Sequence, residues 1–153
     1  MTTLTSTARR TARWTPVTIA AVALALNALF MVLINLFMNR PDHDDIASTD
    51  LYVGGLILFG SVVVLVASRL GWADGNRCAK AALTLAVLVV LATPVWYSLL
   101  QPTLGVGAAA LALRAREMGV RTRTTTVALV LGLVGILVGV AFVLGTFVHF
   151  LTV

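Results

Sequence analysis

Carboxylate and imidazole side chains give this chain its most obvious means of holding a metal ion. Asp42, His43, Asp44 and Asp45 are consecutive, and His149 lies near the other end of the chain. Hard and borderline cations take ligands of these types. The spacing fits no calcium loop, because no glycine makes the turn and no glutamate closes the run. A solvated turn has the same composition, with Thr49 or Asp50 placed to cap the helix that follows. The one thiol, Cys78, has Arg77 beside it and Lys80 two residues on, a setting that lowers a thiol pKa. With no second cysteine and no adjacent histidine, it reads as an incidental thiol in a short loop. No nucleophile–base pair or metal motif stands at usable spacing. The reading is a protein that is not an enzyme and carries no cofactor. What remains for chemistry are amides and hydroxyls inside apolar runs: Asn27, Asn35, Thr84, Thr93 and Gln101.

The elements around these residues are set by hydropathy. The chain is 59% hydrophobic and 11% charged, with a mean hydropathy of +1.01. An ordinary soluble domain carries about 25% charged residues. Several apolar runs exceed the roughly 18 residues that mark a membrane span. Their continuity excludes the alternation of a β-barrel. The expected fold is all-α, a polytopic transmembrane helical bundle in a single domain. Residues 1–14 form a disordered basic N-terminus with little to bury. Arginines ahead of an apolar run follow the order of a signal peptide. However, the run from Val17 to Met38 is too long and ends in bulky residues, so it reads as an uncleaved first span. Five membrane segments are expected, over about 16–38, 51–70, 80–97, 102–116 and 125–150.

The middle of the chain sets that number. From Ala81 to Leu113 runs a stretch of 33 residues without a charge, too long for one span and short for two. Pro94 and Pro102 bracket Trp96, Tyr97 and Gln101. Proline disfavours helix at the residue before it, so Gln101-Pro102 is the expected break. Trp and Tyr favour the headgroup level. The third and fourth segments then form a tight, short hairpin with its tip at about 98–103. For the fourth segment, a re-entrant half-helix and an interfacial helix are the alternatives to a full span.

Charge location gives the orientation. Arg9, Arg10 and Arg13 precede the first span, and a segment of net −3 follows it. The next two charged segments, 69–80 and 114–123, carry net +2 and +3. Short basic loops stay cytoplasmic. Five crossings put all three basic segments inside and the acidic one outside, with a cytoplasmic N-terminus and an outside C-terminus. The expected location is the bacterial plasma membrane. Basic residues dispersed in this way suit anionic lipid headgroups and exclude a nucleic-acid footprint.

Small residues mark the packing faces. Gly135 and Gly139 make a GxxxG pattern, which lets helices approach closely. The neighbouring small face, with Gly105 and Ala109, is its expected partner. Asn27 and Asn35 lie on nearly one face of the first span, where a carboxamide gains about 0.6–2 kcal/mol from an interhelical partner. Leu104-Gly105-Val106-Gly107-Ala108-Ala109-Ala110 and Val127-Ala128-Leu129-Val130-Leu131-Gly132 flank a short basic turn. With these runs, the segment over about 85–145 resembles the paired-helix membrane domain of unknown function found in actinobacteria. That resemblance implies a helical hairpin in a membrane and supplies no catalytic residue. The function expected is that of an accessory or structural subunit of a larger membrane complex, for example a respiratory or transport assembly. Its partners would be the lipid bilayer and other membrane subunits or its own copies. The alternative is a small oligomeric transporter or channel lined by Asn27, Asn35, Thr84, Thr93 and Gln101.

Overall fold

A computed structural model describes residues 15–37, 43–94 and 99–152. Among them are five helices and no strand: α1 (Pro16–Phe37), α2 (His43–Gly71), α3 (Gly75–Leu91), α4 (Leu100–Glu117) and α5 (Arg123–Thr152). Three of them, rather than five, are long and apolar enough to cross a membrane. These stretches are Pro16–Leu33, Leu51–Gly71 and Arg123–His149. With 17 and 18 residues, α3 and α4 reach only about 25 Å each, against a hydrocarbon core of about 30 Å.

Local chemistry explains most of the helix ends. Thr15 caps α1 by accepting from the Thr18 amide at 3.1 Å, and Pro16 suits the first helical position. Asp74 caps α3 through the Asn76 amide at 3.2 Å. Thr122 and Thr125 cap α5 reciprocally, each hydroxyl accepting from the other's amide. At the end of α4, Gly119 takes a φ of +88°. The Val120 amide then reaches back to the Ala115 carbonyl at 2.9 Å, closing the helix as glycine-terminated helices commonly close.

Three boundaries differ from the expectation, the first being that α3 begins at Gly75 rather than at about 80. Residues His43–Asp50 belong to α2 rather than to a solvated turn; acidic residues at a helix N-terminus favour its dipole and do not interrupt it. In the hairpin, α3 ends at Leu91 instead of running to Tyr97, with Ala92 as its cap. Pro102 does not break the chain. It sits in the first turn of α4, where no intrahelical amide bond is needed. The turn into α4 is made by Leu99, in left-handed conformation at φ 56°. Trp96 and Tyr97 lie outside the described residues.

The axis of the bundle is α4, which packs on all four other helices. Its side chains are small because it is enclosed: Gly105, Gly107, Ala108, Ala109, Ala112 and Ala115 are all buried. A Cβ on Gly105 would stand 2.5 Å from the Gly132 carbonyl oxygen of α5. One on Gly107 would stand 2.8 Å from Val64 of α2 and 2.9 Å from Leu85 of α3. At Gly105 the neighbour is backbone, and that separation admits only glycine, whereas at Gly107 the neighbours are side-chain methyl groups that a Cβ would have to displace. The partner of Gly105 on α5 is therefore Gly132. Gly139 instead faces Pro102 and Phe30, and Gly135 faces Val89 and the Gln101 carbonyl. The two glycines of the GxxxG pattern contact α3, α1 and the first turn of α4, not the Gly105–Ala109 face.

Depth along the bundle follows from these contacts. Gly60 of α2 lies against Leu100 and Thr103, and Gly139 of α5 against Pro102. Beyond that level α2 continues for about 25 Å and α5 for about 20 Å. Helices α3 and α4 thus end and begin partway along their long neighbours. A large apolar core surrounds α4, built on Val64, Leu85, Val89, Leu104 and Leu111. A second, smaller core of Phe30, Val53, Ile57 and Leu99 lies over the start of α4.

Candidate functional site

Three of the buried polar side chains, Asn27, Gln101 and Thr103, cluster where α4 begins, while Ser68 and Thr125, also buried, lie toward the charged end of the bundle. Asn27, fully buried in α1, donates through Nδ2 to the Ala23 carbonyl and to Thr103 Oγ1, both at 2.7 Å. Thr103, also fully buried, passes its own proton to the Leu99 carbonyl at 3.0 Å. This chain ties α1 to α4 and holds the left-handed residue that turns the backbone. Thr103 went unnoticed in the sequence because only the tertiary register, 76 positions apart, makes it the partner of Asn27.

Gln101 lies on another side of α4, since two positions along a helix turn the side chain by about 200°. It is buried, and its Nε2 donates to Thr93 Oγ1 at 3.3 Å. The Thr93 hydroxyl donates to the Val90 carbonyl at 2.6 Å. These two residues line a cleft of about 280 Å³ whose other walls are Val89, Val90, Leu131, Val134, Gly135 and Val138. The Oδ1 of Asn27 and the Oε1 of Gln101 have no hydrogen-bond partner among the described residues. Leaving such an acceptor buried and unpaired costs about 1–3 kcal/mol. Chemically, both are neutral acceptors suited to a donor or a water, and neither is a nucleophile or a proton carrier.

The polar residues expected to line a path do not converge. Asn27 joins Thr103, Gln101 joins Thr93, and Thr84 is exposed on α3 with its hydroxyl on the Lys80 carbonyl. The side chain of Asn35 lies outside the described residues, as do Asp42 and the side chains of His43, Asp44 and Asp45. His149 is exposed near the end of α5. Among the described residues no three His, Cys, Asp or Glu side chains are grouped to hold a metal ion.

Cys78 is not in a loop. It is fully buried in the first turns of α3, where its thiol donates to the Leu111 carbonyl of α4 at 3.2 Å. Burial pushes this thiol up to about 11, against the smaller opposing pull of Arg114. The opposing charge is that of Arg114 on α4, not of the sequence neighbours Arg77 and Lys80, and desolvation outweighs it. No protein-family model, no curated protein and no solved structure matches this chain.

Proposed function

We propose that this chain is a small, non-enzymatic, multi-pass protein of the bacterial plasma membrane that acts as an accessory subunit. In this reading α1, α2 and α5 cross the bilayer, and the α3–α4 hairpin enters from the cytoplasmic side and ends near mid-depth. Distances along the helices support that depth. From Arg69 to Gly60, from Lys80 to Leu91 and from Arg114 to Thr103 is about 14–17 Å, half of a hydrocarbon core. The N-terminus is then cytoplasmic and the C-terminus outside, because a hairpin that enters and leaves on one side changes no parity. Irregular backbone at such depth is tolerated where protein encloses it, as the core around Leu99 does.

The observation that carries the accessory role is the contrast among glycines. Gly60, Gly105, Gly107, Gly132, Gly135 and Gly139 are each filled by a neighbouring element, whereas among the described residues nothing lies within 4 Å of the Cβ positions of Gly54 and Gly55. These two stand on the half of α2 that extends past the hairpin. A notch of this kind gives a helix of another subunit, or of a second copy, the close approach that drives association in lipid. Gly55→Leu should leave the purified protein folded and abolish stoichiometric co-purification, or self-association, from mild-detergent extracts of native membranes. Unchanged association would remove the notch from the argument.

A second reading is a small oligomeric transporter or channel. It is favoured by the helix break at depth beside the unpaired amide oxygens of Asn27 and Gln101. Solute flux into liposomes containing the purified protein alone would establish it in place of the accessory role.

A further inference from the structure

The charged end of the bundle carries a recess of about 960 Å³ at the α4–α5 turn. Arg116, Arg121 and Arg123 line it. Arg116 is held in place by its Nη2, which donates to Thr126 Oγ1 at 2.8 Å, and its Nε is shielded with no partner among the described residues. The one acid on the rim, Glu117, is already occupied: its carboxylate pairs with Arg114 at 3.2 Å, and the Arg114 guanidinium lies 5.1 Å from the centre of the Trp72 ring. Three guanidinium groups therefore border the recess against one neutralised carboxylate. Thr122 and Thr126 complete the polar side, and the apolar, open part of the wall is made by Leu113 and Val127, which are 51% and 47% exposed.

We infer that this recess binds the phosphate headgroup of an anionic phospholipid, with an acyl chain lying along Leu113 and Val127. Guanidinium groups match phosphate oxygens in geometry and charge. A soluble phosphate would use the arginines and have no use for the apolar wall, whereas a lipid uses both. Basic pockets between helices at the cytoplasmic face are where anionic headgroups settle. The inference rests on the bundle lying in a membrane, and is independent of the glycine notch and of any subunit role.

The test titrates three probes into purified protein in neutral detergent: short-chain phosphatidylglycerol, phosphatidylcholine of the same chain length, and glycerol phosphate. Saturable binding of phosphatidylglycerol is expected, at least tenfold tighter than either other probe. Arg121→Gln with Arg123→Gln should weaken it about twenty-five-fold, two contacts each worth roughly a factor of five. Arg69→Gln with Arg77→Gln removes equal charge elsewhere and should change it less than threefold. Leu113→Ser should weaken phosphatidylglycerol and leave glycerol phosphate unaffected, with the helical circular dichroism of every variant intact. Equal losses in the two arginine pairs would reduce the effect to diffuse charge and overturn the site. Glycerol phosphate binding as tightly as the lipid would make the recess a soluble-phosphate site, and equal binding of phosphatidylcholine would remove the role of charge; either result overturns the proposal.

Discussion

The closest approach in the bundle offers the sharpest test of how it is held together. In Gly105→Ala the new methyl group would stand 2.5 Å from the Gly132 carbonyl oxygen and 3.1 Å from the Ile136 amide nitrogen. Both are backbone atoms, so no side chain can turn aside. A carbon–oxygen contact settles at about 3.3 Å or more, so α5 must withdraw by roughly 0.8 Å. A gap of that size forfeits about a quarter to a half of each contact of about 0.1–0.2 kcal/mol. Over roughly forty facing atom pairs, as many as one buried leucine makes, the loss is about 2 kcal/mol. That lies within the usual overpacking range of about 1–3 kcal/mol. Alanine also returns about 0.5–1 kcal/mol of helix propensity, so the net loss is about 1–1.5 kcal/mol. Gly145→Ala isolates the two terms, because among the described residues nothing lies within 4 Å of that Cβ position; it should gain the propensity alone. Unfolding each variant in mixed micelles of mild detergent and dodecyl sulfate, followed by circular dichroism, should separate the two by about 2 kcal/mol. Equal stabilities would refute the claim that backbone contact between α4 and α5 holds the bundle.

The hydrogen bond between Asn27 and Thr103 should show a coupling of about 0.6–1.7 kcal/mol in a double-mutant cycle with Asn27→Ala and Thr103→Val; strictly additive effects would mean that α1 is not tied to α4 there. Cys78 should resist maleimide in the folded protein and react on unfolding, since a thiol raised to about 11 holds about a hundredfold less thiolate at pH 8 than one at 9.0; equal rates in both states would contradict its burial. In a Cys78→Ser background of intact cells, a cysteine at Ala47 should react with an impermeant reagent added outside and one at Met118 should not. The reverse pattern would invert the proposed orientation. A nitroxide at Thr93 in the same background, reconstituted in liposomes, should be open to oxygen and closed to a nickel chelate, as at the bilayer centre. Ready access of the chelate would put the hairpin tip at the surface instead.

The helical class and the three long apolar helices were legible because continuous apolar runs admit little else. The ends of α1 and α5 fall close to the reading, where Thr15-Pro16 and the basic turn punctuate the sequence. The hairpin misled for a definable reason. Proline reads as a breaker, but its effect depends on its place in the turn, and Pro102 falls where it does no harm. Among the described residues the left-handed backbone ahead of α4 falls at Leu99, a residue whose type gives no sign of it. Hydropathy could not distinguish helices long enough to cross a membrane from the shorter α3 and α4, because an enclosed helix and a lipid-facing one both exclude charge. The small residues of α4 were visible, but their partners were not. Which glycine meets which carbonyl depends on a register among four neighbours that no local pattern encodes.

An axial helix that must be surrounded has a consequence for how the chain is made. Synthesis proceeds from the N-terminus, so α4 leaves the ribosome before α5, which closes its most intimate face. During that interval Gly105 and Ala109 lack their α5 neighbours, and a segment rich in glycine and alanine gains little by partitioning into lipid unaided. If the hairpin enters a membrane as proposed, its final packing must await the thirty residues of α5. A nascent chain cut short in α5 would leave that face exposed. For a cell, such an unclosed backbone is a legible mark of an unfinished protein, and truncated forms should be cleared faster than the whole.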